Sequence, residues 1–560
     1  EHWHCSMAMA LTNGWGAGLD AVSKGLGVVQ KKAAQGTRLI RASCTPGSKD
    51  IFQYPDDMEL MKEYCEGDVE VMREIVKYFK PLDEVEWKEY HYNCRVNDRG
   101  LPIDIDFANA ALKYTREFAD DANRKISELT GGKMTKATER KSRDEWLFPR
   151  LTEFQKKVLT VYKKGEKKYS LDQDHRDALL DCDDLDYEAS LLIQYINEAG
   201  SSALKKYAVA AHHQVDGRLH NTFLWNGAGT GRFSGKGFQP HNIRRDAYSG
   251  NEAEDMIQDV LEHKTLKNPS TKLARLLRSL ITHEEGIYYV DWSAIEGRVA
   301  PWLANSDAGE GKLDLYREER DVYVVTAARM LGYKNEAEVD ADGRQMGKVC
   351  ELSLQFGGSH NALIRMGRNY GTDIHEETGK EMVKKWRLVN PWAETIWFAY
   401  DRAIAKAVKM PGEAYPVGRV VFQSDDLYLW CALPRGRLLA YPKPKIEVYE
   451  TPWGEDRVGP TYQTSLKPAA GEEPIRRHLR GALLFQNTVQ AVAADLLRGV
   501  LLETWEERLN IIGHVHDEIV GIGPAMDGEL LNELMLEVPD WAQGLPLATG
   551  GVKWGKRYGK

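Results

Sequence analysis

Tyr288-Tyr289-Val290-Asp291-Trp292-Ser293-Ala294-Ile295-Glu296-Gly297-Arg298 is the stretch on which the fold of this chain turns. A short run of aromatic and β-branched residues ends on a carboxylate and passes at once into a helical pattern carrying Glu296 and Arg298. The pattern reads as a strand that delivers Asp291 to its own end, although an Asp so placed also suits the cap of the next helix. Far downstream, Ile511-Ile512-Gly513-His514-Val515-His516-Asp517-Glu518-Ile519-Val520-Gly521 sets two adjacent acids between apolar β-type pairs. Two strands each presenting an acid at a turn are suited to share one divalent-metal site.

The length leaves room for about three or four domains. With 75 Lys+Arg against 84 Asp+Glu the net charge is −9, which excludes a uniformly basic nucleic-acid coat. Local clusters of Lys and Arg still set the field that a polyanion meets. The seven cysteines are scattered without a CxxC pair, so reduced thiols are expected, with no zinc site and no disulfide framework. No apolar run approaches the ~18 residues of a membrane span, and the N-terminus lacks the pattern of a signal peptide. A soluble, cytoplasmic protein without a membrane partner is expected.

Just upstream of the opening stretch, Gly227-Ala228-Gly229-Thr230-Gly231-Arg232-Phe233-Ser234-Gly235-Lys236-Gly237 is rich in glycine but lacks P-loop spacing. Gln239, His241, Asn242, Arg244 and Arg245 follow, side chains that suit base edges and phosphates. Residues 87 to 211 are charged and helical, with a Lys/Arg-rich middle from Lys133 through Lys168. There Lys205 and Lys206, with neighbouring hydroxyls, form a candidate phosphate grip. Further toward the N-terminus the pattern is mostly helical, and Tyr64 and Asp68 fall four apart on one face of a long amphipathic stretch from Asp57 to Phe79.

Downstream, Pro301 to about Val408 reads as nearly all helix. On a helix Arg344, Lys348, Leu352 and Phe356 advance by ~40° per step and share one broad side. Two cations followed by an apolar and an aromatic surface match a triphosphate with a stacked base. β-type runs return at Val417–Phe422, Leu427–Leu433 and Leu438–Tyr441, and the Pro/Gly-rich segment from Pro442 to Glu473 is expected to be a hairpin with a mobile loop. A long helix from about Leu479 to Arg508 holds Gln486, Asn487 and Gln490 among apolar neighbours, and such amides need partners that minor-groove bases can supply.

With these features in this order, the chain resembles an A-family (polymerase I-like) DNA polymerase of bacteriophage type. Asp291 through Arg298 resembles the family's first catalytic motif, Arg344 through Gly357 its second and His516-Asp517-Glu518 its third. Thr230-Gly231-Arg232 with Asn242-Ile243 resembles its primer-template motif, and Gln490 with Ala493-Ala494-Asp495 its minor-groove helix. Four positions depart from the common pattern: Leu352 stands where an aromatic is usual, Phe356 where tyrosine is, His241 where glutamine is and Gln486 where asparagine is.

The resemblance implies an α+β multidomain right hand, with a remnant of a ribonuclease H-like 3′–5′ exonuclease domain at residues 1–85. It implies a thumb at 86–217, a palm at 218–300 and 411–560, and fingers at 301–410. Tyr64 and Asp68 would end the exonuclease remnant, whose Asp-x-Glu strand has no counterpart before residue 60, so this chain alone is expected not to proofread. The implied activity is template-directed addition of deoxynucleotides to a primer 3′ end in phage DNA replication, through two Mg²⁺ ions with Mn²⁺ able to substitute. By resemblance Asp291, Asp517 and the Trp292 carbonyl hold metal, and Glu518 supports the primer end. Arg344, Lys348, Tyr323, Leu352, Phe356, Ile295 and Glu296 form the nucleotide site, Lys348 as proton donor to pyrophosphate and Glu296 against a ribose 2′-oxygen. Arg232, Asn242, Gln486 or Asn487, Gln490 and His516 meet DNA. Primer-template DNA and deoxynucleoside triphosphates are the implied partners, with room for a processivity factor or replisome proteins, and the host cytoplasm is the implied location. Glu296 and Gly231-Arg232 argue against a single-subunit RNA polymerase.

Overall fold

The computed structural model describes residues 4–28, 36–43, 53–163, 166–180, 182, 184–200, 203–450, 455–465 and 474–559. At its centre the opening stretch forms strand β1 (Thr282–Asp291) of a four-stranded antiparallel sheet, with β2 (Ile511–Val515), β3 (Glu518–Ile522) and β4 (Lys553–Arg557) in the order β2-β3-β1-β4. Ile287, Tyr288, Tyr289 and Val290 are all buried, since both faces of the sheet are covered, and the strand therefore reads as a continuous apolar run rather than an alternation. Tyr288 stands opposite Gly521, where a Cβ would meet its ring at 2.2 Å, so the strand pair closes only with glycine there. The run from Ile511 to Val520 is broken by a tight turn at His516-Asp517, with His516 at φ +59°. That turn places Asp517 at a hairpin tip, while the register sets Asp291 opposite Glu518.

Helix α1 (Glu84–Arg99) starts on a capping box of Asp83 and Glu86. The region from Pro301 to Val408 is nearly all helix as expected; it is entered through α2 (Ile295–Ala304) and includes α3 (Val322–Leu331) and α4 (Ala341–Leu354). Because α4 ends at Leu354, Phe356 lies past the helix rather than on the face it was expected to share. Helix α5 (Gly481–Glu506) buries Leu484, Phe485, Val489, Val492, Leu496 and Val500 around its circumference and runs through the core.

The β-type segment after Pro411 forms two more antiparallel sheets, one of four strands within Ala414–Pro442 and one of three within Lys445–His478. The expected hairpin is Lys445–Glu450 with Asp456–Gln463, while residues 451–454 and 466–473, where the mobile loop was expected, lie outside the described residues. Among the described residues before Lys80 only helical segments occur. They dock on the four-stranded sheet through Trp15, Val71, Ile75 and Phe79 against Tyr428 and Ala440, and the Trp15 indole donates to the Tyr428 hydroxyl at 2.9 Å. Residues 126–196 hold a separate core around Trp146, Leu147, Leu192 and Ile193. The fold is α+β, as expected.

Candidate active site

The end of β1 and the β2–β3 tip meet at Trp292, whose N–H donates to the Asp517 carbonyl at 3.2 Å. On the other side the loop before β4 closes in: Gly550 N–H donates to the Asp291 carbonyl at 2.9 Å and Ser293 N–H to the Ala548 carbonyl at 2.8 Å. A Cβ on Gly550 would come within 3.0 Å of Asp291 Oδ1, so glycine keeps the carboxylate accessible. The structure thus brings together Asp291, Trp292 and Asp517. Among the described residues no three His, Cys, Asp or Glu side chains cluster closely enough to hold an ion unaided. An all-oxygen set of two carboxylates and a carbonyl fits Mg²⁺, which keeps waters and takes further oxygens from phosphates.

Glu518, next in sequence and the first residue of β3, is buried. It accepts from the Tyr558 hydroxyl and from Arg278 Nη1 at 3.3 Å, and Arg278 Nε donates to the Arg244 carbonyl at 3.0 Å. Neither Arg278 nor Tyr558 was expected from the sequence; the available signal was an arginine set within Leu276-Leu277-Arg278-Ser279-Leu280-Ile281. A small open cleft beside the tip is lined by His241, Arg245, Arg278, His516, Asp517 and Glu518, among others. His516 Nε2 donates to the His241 carbonyl at 3.1 Å. Burial, with His516 nearby, holds the His241 imidazole down to about 3. Asn242 is exposed and donates to the Gln239 side chain at 3.0 Å.

Among the residues expected around the nucleotide, Glu296 accepts from Arg232 Nη2 at 2.8 Å, joining two residues expected to serve different partners. Ile295 is buried in the first turn of α2. Arg298 braces that turn, donating to the carbonyls of Ser293 at 2.8 Å and Pro546 at 3.1 Å. Arg344 Nε donates to Asp321 Oδ2 at 2.7 Å with its guanidinium 5.5 Å from the Tyr323 ring, and the Lys348 ammonium lies 4.9 Å from the Tyr370 ring. Gly347 lets α4 approach α3 this closely, since a Cβ there would fall 2.1 Å from the Tyr323 carbonyl oxygen. Leu352 is half-buried, and the Phe356 ring packs 6.3 Å from Phe485 of α5.

Of the expected DNA contacts, Gln486 and Gln490 are half-buried on α5, while Asn487 donates to the Tyr441 hydroxyl at 3.1 Å. Lys205 is exposed. Lys206 is turned inward, contrary to expectation: its ammonium donates to the Phe238 and Gln239 carbonyls at 2.5 and 3.0 Å, and burial holds it down to about 8. In this structure its ammonium is occupied by those two carbonyls. In the N-terminal region Tyr64 hydrogen-bonds Asp68, which raises the phenol above its ordinary range.

The family model described as DNA polymerase family A matches residues 108–396. The chain is 30% identical to the DNA polymerase of Bacillus phage SP02 over 577 aligned positions, covering 98% of this chain and 84% of that protein. It is 27% identical to the DNA polymerase I of Aquifex aeolicus (strain VF5) over 204 positions, 36% of this chain and 29% of that protein. In fold it is similar to the POL domain of Pol1 from M. smegmatis, solved in complex with DNA primer-template and dNTP, with a TM-score of 0.59 and 16% identity over 99% of this chain and 81% of that one. The family match over half the chain, and a relative alike along nearly all of it, make this chain a member of DNA polymerase family A, a DNA-directed DNA polymerase of phage type.

Proposed function

We propose that Asp291 and Asp517 hold the metal ions of nucleotidyl transfer, with the Trp292 carbonyl as a further ligand. The observation that carries this assignment is the meeting of β1 and the β2–β3 tip, which sets the two acids at adjoining ends of one sheet. Bound there, two Mg²⁺ or Mn²⁺ ions would lower the pKa of the primer 3′-hydroxyl and neutralise charge on the departing pyrophosphate. Glu518, pinned by Arg278 and Tyr558, is then a buttress for the tip that carries Asp517. Arg344, Lys348 and Tyr323 receive the triphosphate, Lys348 donating a proton to pyrophosphate. Leu352 and Phe356 border the base, and Ile295 and Glu296 border the sugar, so the substrate is a deoxynucleotide. Arg232, Asn242, Gln486, Gln490 and His516 face the primer-template, and Lys205 its backbone.

The same scheme assigns the thumb to 86–217, the palm to 218–300 and 411–560, and the fingers to 301–410, where α4 closes over the nucleotide. Residues 1–85, with Tyr64 and Asp68, are the tail of an exonuclease domain. The setting is phage DNA replication in the host cytoplasm, with a processivity factor as a candidate partner. Primer extension tests the assignment: Asp291→Ala is expected to bind duplex DNA as before and to extend nothing, and unchanged extension would refute the metal role. Efficient use of ribonucleotides by the unmodified chain would refute the sugar assignment, and degradation of a labelled 3′ end would show that the tail is active.

A further inference from the structure

Two buried arginines grip the backbone immediately before Arg232. Arg437, in the turn after Ala432, donates through Nε to Asp495 Oδ1 of α5 at 2.5 Å and through Nη2 to the carbonyls of Ala491 at 3.0 Å and Thr230 at 3.5 Å. Arg498, one helical turn past Asp495, donates through Nη1 to Glu89 of α1 at 2.9 Å and through Nη2 to Asn226 Oδ1 at 2.7 Å and the Gly231 carbonyl at 2.6 Å. Arg435 closes the far side on Glu89 at 2.5 Å. The Arg498 side chain is 0% exposed and that of Asp495 is 0% exposed, so these charges are fully out of water.

Buried ion pairs are a poor means of stabilising a fold, because desolvation offsets most of their attraction. What they supply here is a set of fixed directions. A guanidinium is a rigid fork, and each of these two spends one arm on an acid and another on a carbonyl next to Arg232. Gly231 has φ +79°, and a Cβ there would lie 2.1 Å from Arg437 Nη1, so the turn is moulded around the arginine. Asp495 and Arg498 stand on the same helix as Gln486 and Gln490.

The geometry points to Arg437, Asp495 and Arg498 as positioning residues that hold the Arg232 turn in register with the amide row of α5, so that both reach one minor groove together. This rests on Arg232 being a primer-template contact. Correct base pairs of every sequence present minor-groove acceptors, N3 of purines among them, so the placement of Arg232 governs how the enzyme senses the primer end.

The experiment measures the rate of single-nucleotide addition to a primer ending in guanine or in 3-deazaguanine, which lacks that acceptor, for the full chain and for Arg232→Ala, Arg437→Lys and Asp495→Asn. The full chain is expected to slow about tenfold on the modified primer. Arg437→Lys, which keeps the charge and loses the fork, is expected to be about tenfold slower already on natural primer and to show little further loss on the modified one. Asp495→Asn, which keeps shape and acceptor, is expected to fall between. If the full chain is insensitive to the modification, the reading of Arg232 fails. If the full chain and Arg437→Lys are equally sensitive while Arg232→Ala is not, the positioning role fails and the reading of Arg232 stands. If both network variants melt below the assay temperature, the network serves folding and the positioning role is likewise overturned.

Discussion

Glu296 and Arg232 each carry a charge that the sequence assigns to a different partner, sugar and minor groove, yet in the folded chain they pair with each other at 2.8 Å. Under the proposed roles, nucleotide and primer-template would each compete with this internal contact. Glu296→Ala is expected to free Arg232 and to reduce discrimination against ribonucleotides by about 10- to 100-fold, read from kcat/KM for the two sugars. Nearby, His241 and His514 are buried, His514 between the rings of Phe223 and Phe233 at 4.6 and 4.1 Å. Burial holds His241 down to about 3 and His514 well below its ordinary value of 6.5. As the pH falls below about 6.5 the unfolded chain gains protons that the folded chain refuses, so stability present above that pH is lost on acidification. His514→Phe is expected to flatten the acid limb of the unfolding free energy against pH, by up to ~1.4 kcal/mol per pH unit, as read by urea unfolding; an unchanged slope would count against the buried neutral ring.

Among elements, β1 depends on close contact with β3. Gly521→Ala drives a methyl into the Tyr288 ring and is expected to destabilise the chain by about 1–3 kcal/mol in urea unfolding, with partial rescue by Tyr288→Leu. Helix α4 is anchored through Glu351, which accepts from Lys312 at 2.7 Å, Thr326 at 2.6 Å and the Trp386 indole at 3.2 Å, all buried. This ties four helices into one body, so that Arg344 and Lys348 would move together in the proposed closure. Removing one member leaves an unpaired buried charge. Glu351→Ala is expected to lose roughly 3–5 kcal/mol, whereas Lys312→Met with Glu351→Met together should recover most of it. Equal losses in the single and double variants would dissociate the pair from the stability of the helical body.

For the whole molecule the net charge of −9 repels a polyanion at long range, so grip on DNA depends on local cations. Raising salt from about 50 to 200 mM is expected to weaken primer-template binding at least about tenfold, and a salt-independent affinity would contradict a phosphate grip by exposed cations such as Lys205. The sequence by itself determined the acids, the cationic helix and their order, because apolar runs that end on a carboxylate and cations at helical spacing are local patterns. Strand β1, helix α5 and the helical stretch after Pro301 stand within a few residues of where those patterns place them. Tertiary structure alone decided which side each long side chain takes. Lys206 reads as one of two equivalent lysines, but the carbonyls of Phe238 and Gln239 draw it inward. Phe356 continues the spacing of α4, but the helix stops at Leu354. Arg278, Arg437 and Arg498 acquire their importance from partners as much as 409 residues away, and no local pattern carries that distance. The approach of Asp291 and Asp517 is of the same kind: each acid is legible at the end of its own apolar run, and only the pairing of β1 with β3 puts them at adjoining ends of one sheet.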